Sequence, residues 1–223
     1  FSVYRVCIMA EEITQAFNKF VYDRIEKDFV DGIVKLDFWK SSDISTKKSE
    51  PNEILNQLVE FAIREPDVIM KIFVAIAAKV DGAQKRKLVE ALFMETRLWH
   101  ISYHAKARPL DKGRKNITQF LGDLYLHSLI SIGEIRASLD ELLEYRKESY
   151  NSSTASACVL LERVGKKFAL EERAQYSVKE TYESQSSYAK LEKAKFGTDG
   201  EVRNEIDTQL KYQWMYLKDY DTA

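Results

Sequence analysis

The side chains best suited to metal or nucleophilic chemistry are three histidines and two cysteines, and their spacing assembles none. His100 and His104 stand four apart on a helical stretch, the separation of paired zinc ligands. A zincin-type site carries its glutamate base directly after the first histidine, and Ile101 holds that position, so two surface histidines are the plainer reading. His127 has no serine, cysteine or carboxylate at a telling distance from which a triad could be built. Cys7 and Cys158 are far apart, and Cys158 lies in the apolar run Ala157-Cys158-Val159-Leu160-Leu161, where it reads as a small hydrophobe in a reducing compartment. There is no glycine-rich phosphate loop, no CxxC pair and no carboxylate dyad. The chemistry on offer is therefore binding, with no catalytic residue, no metal and no cofactor.

Binding to what is a question of charge. The chain carries 34 basic and 35 acidic side chains, a net charge of -1, so any contact with nucleic acid must come from a local patch. Two basic clusters qualify: Lys79 with Lys85, Arg86 and Lys87, and then Lys106, Arg108, Lys112, Arg114 and Lys115. Both fall at helix-joining ends of adjacent hairpins, where stacking would merge them into one stripe for phosphate or for an acidic protein surface. A solvated face is the competing reading. The tyrosines between Tyr176 and Tyr188 are able to stack on bases, but covering apolar surface is the more ordinary use and is preferred.

The elements that must position these residues are helices. Only three prolines and eight glycines interrupt 223 residues, no sustained alternating pattern appears, and no Gly/Pro-rich linker divides the chain, which predicts one all-α domain over 1–223. The clearest helix is in Leu110–Leu129. Ile117, Phe120, Leu121 and Leu124 share one face there, and Gly122 within it predicts a close approach by a neighbouring helix. Ser131 with Glu134 is a capping box opening the next helix. Upstream, a helix pair is expected over residues 4–36 and a mobile loop over about 41–50. Next comes a helix bearing Ile54, Leu55, Leu58, Val59 and Ala62, closed by Glu65-Pro66. The stretch Val68–Val80 is apolar almost all round and is expected to be the most buried helix. Downstream, Thr154, Ala157, Cys158, Leu161, Val164 and Phe168 mark a helix. A break is expected near 184–187, and Val202, Ile206, Leu210, Gln213 and Leu217 mark the last helix. About ten helices in five antiparallel pairs give roughly 45 residues per pair, the period of HEAT-type repeats. The expected fold is an all-α, right-handed α-solenoid, with a compact bundle as the alternative. No signal peptide is evident and no run reaches the roughly 18 apolar residues of a membrane span, so a cytoplasmic setting without membrane contact is expected. Opening on Phe1, the chain reads as a domain excised from something longer.

The run Gly113–Ser131, GRKNITQFLGDLYLHSLIS, resembles the segment that marks the middle domain of eukaryotic initiation factor 4G, where a basic lead-in precedes an N-I-x-F-[IL]-G-[ED]-L-[FY] helix. Four other stretches agree in order: Phe17-Asn18-Lys19-Phe20, the helix from Leu58 ending at Glu65-Pro66, Arg86-Lys87-Leu88-Val89-Glu90-Ala91, and ASACVLLERVGKKF from Ala155 to Phe168. The resemblance implies a crescent of five HEAT-type helix pairs without enzymatic activity, a scaffold in mRNA translation or its regulation. Its implied partners are a DEAD-box RNA helicase of the initiation factor 4A type, RNA, and other translation factors. The alternative it leaves open is an RNA-binding module, or an adaptor for poly(A)-binding protein or a decay factor, that does not bind the helicase. No Tyr-x-x-x-x-Leu-hydrophobic motif for a cap-binding protein occurs, and Tyr176–Gly200 has no counterpart in the family pattern. Both departures indicate a divergent relative.

Overall fold

The computed structural model describes residues 58–79, 82, 85–87, 89–94, 96, 112–144, 150–218 and 220. Every regular element among them is helical. The helix pair expected over 4–36, the loop at 41–50, and His100 and His104 lie outside the described residues. The chain falls into two compact units, Phe1–Thr96 and Arg97–Ala223.

In the first unit a helix through 58–64 buries Leu58, Val59 and Ala62. It stops at Glu65, as expected of a residue before proline, and Pro66 opens α1 (Pro66–Lys79). Asp67 in the first turn and Lys79 in the last both complement the helix dipole. α1 buries Ile69, Met70, Ile72, Phe73, Ile76 and Ala77, whereas Val74 is 37% exposed and Lys71 and Ala78 face solvent. The expectation that this is the most buried helix is thereby corrected, since Lys112–Leu126 buries more of its residues. An apolar residue on an exposed face costs little, so apolar composition alone does not establish burial.

The second unit runs through α2 (Lys112–Leu126), α3 (Ile132–Glu144), α4 (Tyr150–Ala174), α5 (Lys179–Gln185), α6 (Ser187–Ala194), a 3-10 turn (Lys195–Gly197) and α7 (Gly200–Leu217). α4 is the hub, packing against α2, α3, α6 and α7. Among the described helices α2 is the most buried. Its predicted stripe of Ile117, Phe120, Leu121 and Leu124 is fully enclosed, and Asn116, Thr118, Gly122, Asp123 and Tyr125 are buried as well. The close approach predicted at Gly122 is present. A Cβ added there would stand 2.8 Å from Arg163 Cγ and 3.1 Å from Arg163 Cβ, on α4.

α2 ends in a Schellman cap. Leu129 N–H donates to the Leu124 carbonyl at 2.8 Å and Ser128 N–H to that of Tyr125 at 2.8 Å, which requires the left-handed φ of 57° at Ser128. Lys167 of α4 adds a further donor to the Tyr125 carbonyl, 3.0 Å away, placing a cation at the negative end of the helix. Ser131 and Glu134 then form the predicted capping box. Glu134 Oε2 accepts from Ser131 N–H at 2.6 Å and from Ser131 Oγ at 2.8 Å, while Ser131 Oγ accepts from Glu134 N–H at 3.4 Å.

α4 buries Thr154, Ala157, Cys158, Leu161, Val164 and Phe168 as their spacing predicts. It is kinked at Gly165, whose φ of 48° and ψ of -134° lie outside helical space. The break expected near 184–187 falls at Ser186, whose Oγ accepts from Ala189 N–H at 3.1 Å and caps α6. α7 buries Val202, Ile206, Gln209 and Leu217. Its N-cap Asp199 accepts from Val202 N–H at 3.0 Å, and Asn151 Nδ2 ties it to α4 at 2.8 Å.

Candidate partner-docking surfaces

The first basic cluster is solvent-facing: Lys79 closes α1, and Lys85, Arg86 and Lys87 are exposed on the helical residues that follow. Arg86 Nε donates to the Gly82 carbonyl at 3.4 Å, which tethers its guanidinium locally and leaves the neighbouring lysines outward. Lys106 and Arg108 lie outside the described residues. The rest of the second cluster occupies the first turn of α2, where the helix dipole disfavours cations and the turn itself contains no acidic residue.

The three residues in that turn part company. Lys112 and Lys115 are exposed, whereas Arg114 is 2% exposed and ranks among the largest fully buried side chains. Arg114 is therefore corrected from surface cation to core residue. The physical reason is register, because Arg114 stands three before Ile117 and seven before Leu121 on the buried face. Lys115 is set against carboxylates. It offsets a raised Glu205 pKa, which burial pushes up first, followed by Glu201, Glu162 and Asp199.

Apolar groups left in solvent form the other candidate surface of the second unit. Phe196, on the 3-10 turn between α6 and α7, is 93% exposed, and Trp214 on α7 is 65% exposed. An open cleft of about 760 Å³ beside Phe196 is lined by Leu143 of α3 and Lys190 of α6 among others. Lys190 pairs there with Asp140 at 2.5 Å. Exposed apolar groups bordered by polar ones are the common composition of protein-contact surfaces. Composition gave no signal for Phe196, since a lone phenylalanine between Lys195 and Gly197 has no period.

The tyrosines of 176–188 serve packing. Tyr182 and Tyr188 are buried. Tyr176 makes an edge contact with Tyr182 at 5.5 Å and accepts from Arg136 Nη2 at 2.8 Å. Behind them lies a residue the sequence reading passed over. Glu172, on the buried side of α4, is 0% exposed. Its signal was present, because it follows Phe168 by four residues and continues the apolar stripe.

Cys158 is buried and free, with its thiol pushed up to about 12 by burial, and then by Glu205 and Glu162. Among the described residues no group of three or more His, Cys, Asp or Glu is placed to hold a metal, and no helix is long and apolar enough to cross a membrane. Comparison with protein-family models, with curated proteins and with solved structures gives no match.

Proposed function

We propose that this chain is a non-enzymatic scaffold of the α-solenoid type, acting in cytoplasmic mRNA translation or its regulation. On this reading it docks a DEAD-box helicase of the initiation factor 4A type. The observation that carries the reading is where the resembling residues lie. The two longest stretches similar to the initiation factor 4G middle domain, in α2 and α4, are packed on one another through the very residues quoted for the likeness. Gly122 admits Arg163, Arg163 Nε donates to Asp123 Oδ1 at 2.5 Å, and Lys167 stands 4.3 Å from the Tyr125 ring centre.

Protein docking is favoured over RNA as the primary role. Arg114 is withdrawn into the core, which leaves fewer cations on α2 for phosphate. The test is a pull-down of a helicase of this type by the chain, with and without nucleotide and RNA. Capture that survives nuclease is expected, and loss of binding under every condition would defeat the reading. Replacing Lys112 and Lys115 with glutamate is expected to leave RNA retention and its salt slope almost unchanged. A slope flattened by about two counterions would instead make this turn a phosphate site.

A further inference from the structure

Glu172 joins three helices with its side chain wholly withdrawn from the surface. Its Oε1 accepts from Ser187 N–H at 2.9 Å and from Ser187 Oγ at 2.7 Å, at the start of α6. Arg136 Nε of α3 stands 3.6 Å from the same oxygen, but the guanidinium is shared, with Nη1 donating to Gln175 Oε1 at 2.9 Å and Nη2 to Tyr176 Oη at 2.8 Å. The other oxygen, Oε2, is buried with no hydrogen-bond partner among the described residues. A carboxylate so placed has half its lone pairs stripped of water and unreplaced, which penalises the charged form far more than the neutral acid.

We propose that Glu172 is a proton-operated latch: protonated, it holds the α5–α6 pair closed on α4, and ionised, it lets that pair open. Burial raises the Glu172 pKa first, Asp140 adds to the rise, and the two Ser187 bonds and Arg136 oppose it. Opening exposes the group to water and returns it to its ordinary value. The latch contribution is therefore complete below the ordinary glutamate pKa and is lost as pH climbs through the raised one. The other groups facing this point do not reproduce that sign. Tyr188 is held well above its ordinary value by burial, and so stays neutral. The Lys190–Asp140 pair also fastens α6 to α3.

Deuterium exchange across a pH series, corrected for intrinsic chemical exchange, tests the latch on the full chain. In the parent, opening of 187–194 is expected to rise by up to about tenfold per pH unit within the window, while the α2 core at 117–124 does not follow. Glu172→Gln, which carries no ionisable proton, is expected to flatten the dependence. Ser187→Ala, which removes one donor to the carboxylate, is expected to move the window to higher pH. A parental dependence in Glu172→Gln would overturn the proposal, as would an α2 core that opens in step with α6. Should Glu172→Gln fail to fold, an unmoved window in Ser187→Ala overturns it equally.

Discussion

Gly122 sits at a close seam between α2 and α4, and its consequence is a sign that can be measured. Arg163 meets that position with Cβ and Cγ, near the stiff root of its side chain, while its Nε is engaged by Asp123. The arginine thus has little freedom to retreat from a larger residue. Gly122→Leu is expected to lower stability by about 1–3 kcal/mol through overpacking, and Leu121→Ala by about 2–5 kcal/mol through the cavity it leaves. Chemical denaturation checks both, with helicase capture following stability. A Gly122→Leu protein that unfolds like the parent but captures nothing would place this glycine in an interface. At this scale the sequence spoke clearly along α2, less so along α7, where Leu210 and Gln213 of the expected stripe are only half-buried. Ile117, Phe120, Leu121 and Leu124 are buried as spaced, and Gly122 sits at a close contact. The misreading of Arg114 came from weighing charge above register, although 114, 117, 121 and 124 share one face. Glu172 was overlooked for the same reason, four residues beyond Phe168.

At the scale of elements, the α2–α3 connection shows how much of a turn is written locally. The capping box of Ser131 and Glu134 was legible from a four-residue pattern because its bonds are all local. The Schellman cap before it was not, because serine stands where glycine is usual and nothing nearby announces a positive φ. Ser128 has a φ of 57° and carries a Cβ into a region that disfavours one. Ser128→Gly is therefore expected to stabilise the protein by roughly 0.5–1 kcal/mol, less whatever the 3.5 Å contact from Lys167 Nζ to Ser128 Oγ contributes. Thermal melts at matched concentration decide it, and a lower melting temperature would mean that the Lys167 contact outweighs the backbone strain. The kink in α4 escaped the sequence reading for a related reason. The apolar period runs through Val164 and Phe168 without a skip, so only the φ of 48° at Gly165 reveals it.

On the scale of the whole molecule, the helical class followed from few breakers and 3.6-residue periodicity, while division of the chain into two compact units did not. A boundary near Thr96 carries no proline, glycine or low-complexity marker, because it is set by which contacts form and not by local composition. Within the second unit, Cys158 offers a gauge of opening. With its thiol pushed up to about 12, its native thiolate fraction near neutral pH is roughly a thousandfold below that of a free cysteine. Alkylation mapped by mass spectrometry is expected to spare Cys158 until α4 is uncovered, and labelling at a free-thiol rate would show that the helix is not enclosed in solution. The central place of α4 also has a consequence for synthesis. Its contacts with α2, α3, α6 and α7 cannot form until it has left the ribosome, and at roughly 5–20 residues per second that comes seconds after α2 emerges. During that interval the sticky face of Ile117, Phe120, Leu121 and Leu124 waits without its α4 cover, so the nascent chain is a natural client for a chaperone until α4 arrives.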